Sequence, residues 1–257
     1  KLRRISVSSA SATTLIVLSF LMAASAMPIP QLTLSLRQHD GSFQSTNWSG
    51  YAVTGASGSV SIAKGSWVVP AIQGSCTSTA QYSSFWVGID GFSSGTVEQT
   101  GTDSDCQNGV PTYYAWYEFY PHPSFLINGM TITPGDTMTA QASFNGRSFT
   151  VTITDTHTGV SFSTSARVRG AQRSSAEWIA EAPSSSGGIL PLADFGTVNF
   201  SASTATVSGT TGTIGSFGSS VQVITMVTSS GTVKAQPSSL SGNNGDSFSV
   251  AWKSSGP

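Results

Sequence analysis

The sequence reads Trp-Val-Gly-Ile-Asp-Gly at 86–91, Val-Glu-Gln-Thr-Gly at 97–101 and Tyr-Tyr-Ala-Trp-Tyr-Glu-Phe-Tyr at 113–120. These runs are rich in the aromatic and β-branched residues that strands favour. Strand alternation in the third run places four side chains on one face, namely Tyr114, Trp116, Glu118 and Tyr120. The opposite face is also aromatic, so both sides of this strand are predicted to be covered. A carboxylate is costly to bury unless it is paired, and Glu118 therefore marks a candidate site.

The pattern of these strands continues along the chain. About fourteen short strand-like segments lie between residues 47 and 253, among them 96–100, 196–201 and 203–208. Turn signals such as Pro134-Gly135 and Asn145-Gly146 separate many of them. No convincing helical period of ten or more residues occurs beyond the N-terminal segment. The sequence therefore predicts an all-β fold, a two-sheet antiparallel β-sandwich of the concanavalin A-like jelly-roll type. Residues 45–257 are predicted to form a single domain.

The N-terminal 26 residues have the features of a signal peptide. Basic residues at Lys1, Arg3 and Arg4 precede an apolar run at 15–23 and an Ala-Ser-Ala site at 24–26. We expect this segment to be removed, leaving a secreted, extracellular protein with no membrane contact. Residues 27–44 are polar and irregular, and we predict that they form a short propeptide or a disordered N-terminus.

The composition excludes some function classes. Without residues 1–26 the chain has eight basic residues against twelve acidic ones. So few basic side chains argue against a nucleic-acid partner, whose phosphates Lys and Arg must neutralise. The three histidines are far apart and show no metal-ligand spacing. The two cysteines, Cys76 and Cys106, are expected to form one disulfide in an exported protein, although two free thiols are the alternative.

The second group of acidic residues is Ala-Glu-Trp-Ile-Ala-Glu-Ala at 176–182. Positions four apart share one face of a strand, so Glu177, Ile179 and Glu181 are predicted to point the same way. Two carboxylates beside an isoleucine fit a site, or alternatively an edge strand that exposes both acids to water. Gln99 offers N–H donors that suit a developing oxyanion, but a glutamine alone is more often an ordinary polar residue.

Together these residues resemble the glutamic peptidases, also called eqolisins or peptidase family G1. The resemblance spans nearly the whole mature chain and depends on the order of five motifs: Asn47-Trp48-Ser49-Gly50, Trp86-Val87-Gly88-Ile89-Asp90-Gly91, Gln99-Thr100-Gly101, Ala115-Trp116-Tyr117-Glu118-Phe119-Tyr120-Pro121 and Ala176-Glu177-Trp178-Ile179-Ala180-Glu181. Each motif alone is weakly specific, and their order is the strong signal. The family fold implied by the resemblance is a sandwich of two seven-stranded antiparallel sheets.

The resemblance also implies a mechanism. It places the catalytic glutamine at Gln99 and the catalytic glutamate at Glu181, with Trp48, Asp90, Trp116 and Glu118 lining or supporting the site. Glu181 would take a proton from water and return it to the leaving amine, while the Gln99 amide stabilises the oxyanion. No cofactor or metal is implied. The expected substrates are polypeptides, the expected state is a monomer, and an unshifted glutamate implies an acid pH optimum.

Two departures and two alternatives accompany this hypothesis. Residues 27–44 contain no lysine, unlike the lysine-rich propeptide of fungal members, and Glu98 replaces an apolar residue and should point away from Gln99. The first alternative is a secreted glycoside hydrolase or carbohydrate-binding sandwich protein, because such proteins also combine aromatic grooves with paired carboxylates. The second is a non-catalytic wall or adhesion module.

Overall fold

The structure is a computed structural model that describes residues 37–39 and 42–256, with side chains from residue 42 onward. The predicted signal peptide at 1–26 lies outside the described residues, as does most of the predicted propeptide. The described elements in the first half are β1 (Arg37–His39), β2 (Ser42–Ser45), β3 (Trp48–Thr54), β4 (Val60–Val68), β5 (Ser84–Ile89), β6 (Val97–Gln107), β7 (Val110–Tyr120), β8 (Phe125–Leu126), β9 (Thr137–Phe144) and β10 (Phe149–Asp155).

The second half adds further strands and a 3-10 helix. They are β11 (Ser161–Ala166), β12 (Ser175–Glu181), β13 (Ser184–Ser185), β14 (Gly188–Ile189), β15 (Thr197–Val207), β16 (Thr210–Thr213), the 3-10 helix Ile214–Ser220, β17 (Val221–Val227), β18 (Val233–Pro237) and β19 (Phe248–Trp252).

Most of these strands form the two sheets of a β-sandwich, as the sequence predicted. Sheet A has the strand order β8-β7-β6-β5-β12-β3-β17, and β2 pairs in parallel with β17. Sheet B has the order β11-β10-β9-β4-β15-β19-β18. Strands β17 and β18 pair with a register shift between Met226 and Val227, and this pairing joins the two sheets at one side.

The main hydrophobic core lies between the sheets. Trp67 and Phe149 from sheet B meet Phe85 and Trp178 from sheet A, and all four side chains are buried. A smaller apolar cluster uses the other face of sheet A, with Trp48, Trp86, Trp116 and Ile179 at its centre. Both faces of sheet A therefore carry buried aromatic side chains, as the residues at 113–120 predicted, and the second face is the one that carries the site.

The longer strands lie where the sequence predicted them, with differences at a few ends. The elements that were not predicted are the short strands β1, β2, β8, β13, β14 and β16 and the 3-10 helix. Two strands predicted at 196–201 and 203–208 are one strand, β15, whose pairing with β4 shifts register between Ser201 and Thr204. A β-bulge of this kind interrupts the alternation of side chains without ending the strand, and so the sequence suggests two strands. The strand predicted at 96–100 continues to Gln107, because ladder pairing with β7 extends across polar residues.

Strand β12 is central and not an edge strand. It pairs with β3 on one side and β5 on the other, and every residue from Ser175 to Glu181 is buried. This excludes the interpretation in which Glu177 and Glu181 are exposed to water at an edge.

Two glycines of the motifs, Gly50 and Gly101, lie where the backbone of a neighbouring strand leaves no space for a side chain. A Cβ atom at Gly50 would lie 2.1 Å from the Trp178 carbonyl oxygen, and one at Gly101 would lie 2.3 Å from that of Phe85. Backbone atoms cannot yield as a flexible side chain would, so these positions require glycine.

The predicted disulfide is present. Cys76 and Cys106 are bonded, with their Cα atoms 5.4 Å apart, and they link the loop before β5 to the end of β6. At the N-terminus, Ser42–Ser45 forms β2 within the sheet, so the end of the predicted propeptide segment has regular structure here. Its removal from the mature chain stays a prediction. Within residues 37–39 and 42–256 there is no helix long and apolar enough to cross a membrane.

Candidate active site

The strand register brings the predicted acids and the glutamine to one face of sheet A. Directly paired residues point to the same side of a sheet. Glu177 pairs with Gly88, Gly88 with Gln99, and Gln99 with Glu118. Glu181 is four residues beyond Glu177 on β12, so it shares this face. Alternation predicted the common face of Glu177 and Glu181, whereas the pairing of the strands brings Gln99 and Glu118 beside them.

Glu181 is buried and is held by two side-chain donors. Its Oε2 accepts a hydrogen bond of 2.8 Å from Trp86 Nε1, and its Oε1 accepts one of 3.2 Å from Asn47 Nδ2. Trp48 is the β3 residue paired with Glu181, and its ring packs edge-on against Trp86 with centroids 4.8 Å apart. The two tryptophans therefore form a rigid apolar wall that fixes the carboxylate.

The environment of Glu181 changes its proton affinity. Burial raises its pKa to about 7, and the N–H donors that favour the carboxylate limit the rise, whereas the nearby charge of Asp103 adds to it. A carboxyl group with a pKa near neutrality exchanges protons readily under mild conditions, as a general base and acid must.

Gln99 and Glu118 form a hydrogen-bonded pair. The Gln99 Nε2 atom donates to Glu118 Oε2 at 2.6 Å, and both residues are buried. The remaining oxygens, Gln99 Oε1 and Glu118 Oε1, have no protein partner. Burial raises the pKa of Glu118 well above its ordinary value, the Gln99 donor opposes this, and the charge of Glu181 raises it further, so the two carboxyl groups lie close enough to interact.

Trp116 lies on β7 and holds a further acidic residue, Asp103, through a hydrogen bond. Its Nε1 donates to Asp103 Oδ1 at 2.5 Å, and Ser84 Oγ donates to the same oxygen at 2.5 Å. Ser84 is also the β5 residue paired with Glu181, so Asp103 is in the row that includes the predicted base. Asp103 was not among the site residues predicted from the sequence. Alternation from Gln99 through Gly101 would have indicated it.

Asp90 occupies a supporting position at the end of β5. Its carboxylate accepts hydrogen bonds from the backbone N–H groups of Arg173 at 2.6 Å and Ser174 at 2.9 Å. Its φ of 70° turns the chain away from the strand at this point. Asp90 therefore fastens the β5 end to the segment that leads into β12, and these contacts stabilise the frame that positions Glu181.

Two further glutamates are buried beside this frame without hydrogen bonds of ordinary geometry. Glu98 points to the opposite face from Gln99, as predicted, and burial followed by the charge of Asp90 raises its pKa to about 9. Glu177 has a pKa raised well above its ordinary value, mainly by burial. The described residues contain no group of three or more His, Cys, Asp or Glu side chains placed to hold a metal ion.

Comparison with known proteins identifies the family of this chain. The family model described as the Peptidase A4 family matches residues 46–252. Aspergillopepsin-2 from Aspergillus niger is 32% identical over 189 residues, which cover 65% of this chain and 66% of that protein. Scytalidopepsin B from Scytalidium lignicola is 48% identical over 54 residues, 21% of this chain and 20% of that protein, so the match spans less than two thirds of either relative.

Solved structures of this family have the same fold. Scytalido-glutamic peptidase with a transition state analog inhibitor has a TM-score of 0.68 at 26% identity, covering 81% of this chain and 98% of that one. Aspergilloglutamic peptidase from Aspergillus niger has a TM-score of 0.59 at 31% identity, covering 67% of this chain and 99% of that one. From the family-model match and these similarities, this chain belongs to the Peptidase A4 family, the glutamic peptidases or eqolisins that its motifs resemble.

Proposed function

We propose that this protein is a secreted acid endopeptidase in which Glu181 acts as general base and acid and Gln99 stabilises the oxyanion. The observation that supports it most is the fixed position of Glu181: a buried carboxylate, held by Trp86 and Asn47, on the same face as the Gln99–Glu118 pair. The substrates are polypeptides, and the family membership supports a reaction at peptide bonds. Secretion is predicted from residues 1–26.

In the proposed first step, ionised Glu181 removes a proton from a water molecule that attacks the scissile carbonyl carbon. The C–O bond forms as the carbonyl π bond opens, so the carbonyl oxygen becomes an oxyanion. In the second step Glu181 returns the proton to the amide nitrogen, the C–N bond breaks, and an amine and a carboxylic acid leave. Trp86 and Asn47 hold the carboxylate through both steps, because their N–H groups tolerate either protonation state.

The Gln99 amide can both donate a hydrogen bond to the oxyanion and accept one from the attacking water. One of its N–H groups is directed to Glu118, which fixes the amide plane. The second N–H group is then available to donate to the oxyanion, and Oε1, which has no protein partner, is available to accept from the attacking water. A preorganised donor of this kind is worth about 3–4 kcal/mol of transition-state stabilisation where it has been removed in another enzyme.

Glu118 is proposed to keep Gln99 oriented and to stay neutral in acid. Its raised pKa means that it retains a proton at pH values where an ordinary glutamate is already ionised. A neutral Glu118 adds no negative charge beside the forming oxyanion, whereas an ionised one would oppose it.

The pH range follows from the buried carboxyl groups. The sequence predicted an acid optimum from an unshifted glutamate, but the pKa of Glu181 is raised to about 7. Activity should therefore rise through the acid range as Glu181 ionises, and buried acids such as Glu98 limit the stability of the fold above it. We expect a mildly acidic optimum, above the range that an unshifted glutamate would give.

The test is hydrolysis of a denatured protein by purified enzyme between pH 3 and pH 8. Glu181→Gln is nearly isosteric and removes proton transfer, so it should abolish hydrolysis while circular dichroism shows an intact fold. Gln99→Ala should reduce turnover by a factor of about 100 to 1000. The matched control is Gln141→Ala, because Gln141 is a glutamine of β9 in sheet B, away from this face.

Two outcomes would contradict the proposal. Turnover of Glu181→Gln close to that of the parent at every pH would remove Glu181 from the reaction. Cleavage of a polysaccharide with no cleavage of the denatured protein would favour the glycoside hydrolase alternative.

A further inference from the structure

Tyr114 connects two buried carboxyl groups through one hydroxyl. Its Oη atom is 2.8 Å from Asp103 Oδ2 and 2.7 Å from Asp105 Oδ2, and both aspartates are buried. Tyr114 pairs directly with Asp103 across β6 and β7, so the backbone register fixes this arrangement.

The two contacts of the Tyr114 hydroxyl require a second proton, which one of the two aspartates must hold. A tyrosine hydroxyl has a single hydrogen and can donate to one carboxylate only. If both aspartates were ionised, the second contact would bring a lone pair of Tyr114 against a negative oxygen in a buried place. The arrangement is stable when one aspartic acid is protonated and donates to Tyr114 Oη, while Tyr114 donates to the other aspartate.

The other hydrogen bonds identify which aspartate has the proton. Asp103 accepts from Ser84 and Trp116 at 2.5 Å each, in addition to Tyr114, and three donors favour its ionised form. Asp105 accepts longer bonds of 3.1 Å from the Ser83 N–H and from Gln107. The order is therefore Asp105 O–H to Tyr114 Oη, and Tyr114 O–H to Asp103.

The charge on Asp103 reaches the proposed base. Asp103 is two strands from Glu181 in the same row, with Ser84 between them, and strand spacing puts the two carboxylates about 10 Å apart. We propose that Tyr114 is a positioning residue for the reaction assigned to Glu181: its hydroxyl keeps one proton on Asp105 and the negative charge on Asp103, and that charge sets how tightly Glu181 holds its proton. This inference depends on the proposed function of Glu181.

The titratable groups around the cluster come from several strands. Glu181 is faced by Asp103 from β6 and Glu118 from β7. The neutral donors are Asn47, which directly precedes β3, and Trp86 from β5. Asp105 interacts with Tyr82, whose pKa is raised by burial and then by Asp105. The variants below leave these neighbours unchanged. A change in the pH dependence of kcat/KM therefore reports the hydrogen bonds among Asp103, Tyr114 and Asp105.

The experiment measures kcat/KM against pH for the parent, Asp103→Asn, Tyr114→Phe and Asp105→Asn. Asp103→Asn removes the charge, and Tyr114→Phe removes a donor that keeps Asp103 ionised. Both should move the acid limb of the profile downward by about 0.5 to 1 pH unit, from two charges about 10 Å apart at an effective dielectric constant of about 20–40. Asp105→Asn keeps a neutral donor to Tyr114 and should leave the position of the acid limb unchanged.

The matched control is Tyr113→Phe. Tyr113 is the neighbouring tyrosine on the opposite face, where its hydroxyl accepts from the Ile72 N–H, and its loss should not move the acid limb. A merely structural role of Tyr114 would lower stability or kcat without moving the limb. An unmoved limb in folded Asp103→Asn and Tyr114→Phe would overturn the inference, and so would an equal shift in Asp105→Asn.

A measurement on the parent covers the case in which the variants do not fold. Burial raises the pKa of Asp103 to about 6, so carboxyl carbon NMR of ¹³C-labelled protein should show Asp105 protonated and Asp103 ionised between pH 6.5 and pH 7.5. Two ionised aspartates in that range would overturn the inference. The two proposals can be tested separately. If Glu181→Gln is inactive but Tyr114→Phe does not move the acid limb, only the role of Tyr114 is contradicted.

Discussion

The sharpest prediction about stability concerns Glu98. Its side chain is fully buried, neither oxygen has a hydrogen bond of ordinary geometry, and its pKa is raised from 4.5 to about 9. Because the raised pKa belongs to the folded state, there is almost no penalty below pH 4.5, where both states are protonated. Between pH 4.5 and 9 the unfolded chain ionises and the folded protein does not, so stability falls as pH rises.

The magnitude follows from the size of the shift. Each pH unit above 4.5 costs about 1.4 kcal/mol, and the difference between pH 4 and pH 7 is about 3 kcal/mol. Glu98→Gln has no titrating group at this position. Between pH 4 and pH 7 its free energy of unfolding should therefore fall by about 3 kcal/mol less than that of the parent. A residual slope is expected from Glu118 and Glu177, whose pKa values are also raised.

The assay is urea unfolding at pH 4 and pH 7, followed by tryptophan fluorescence, in a Glu181→Gln background that prevents self-digestion. Glu98→Leu serves as a second variant. It also removes the titrating group, but unlike glutamine it cannot form hydrogen bonds. The two variants should therefore differ in absolute stability, while the free energy of unfolding of both depends less on pH than that of the parent. If either variant retains the full pH dependence of the parent, Glu98 is not the group that lowers stability as pH rises.

Three further predictions concern the site and the disulfide. Asn47→Ala removes a donor to Glu181 and should move the acid limb of kcat/KM upward by about one pH unit, whereas an unchanged limb would show that this hydrogen bond does not act on the base. Gln99→Glu places another carboxyl group beside Glu118 and removes the neutral donor, so activity should fall to little or none; parental turnover at any pH would contradict the oxyanion role. Replacing Cys76 and Cys106 by serine should lower the free energy of unfolding by about 3–4 kcal/mol in the chain-entropy model, and equal urea midpoints for both proteins would contradict this.

Much of the site was accessible from the sequence because strands have a fixed period of two. Once 113–120 and 176–182 are recognised as strands, alternation alone puts Glu118 on one face and keeps Glu177 and Glu181 together. The same rule would have extended the site from Gln99 to Asp103. The motif order added the family, since five short motifs in sequence are far more specific than any one of them.

The tertiary structure decided what alternation cannot express, namely which strands are neighbours and which groups lie between them. Only the placement of β12 between β3 and β5 buries Glu177 and Glu181 and brings Trp86 and Asn47 to the base. A strand pattern gives the face of a residue, but hydrogen bonds and burial arise between segments distant in the chain. The raised pKa of Glu181 depends on those contacts, and for this reason an unshifted glutamate was the best estimate that the sequence by itself allowed.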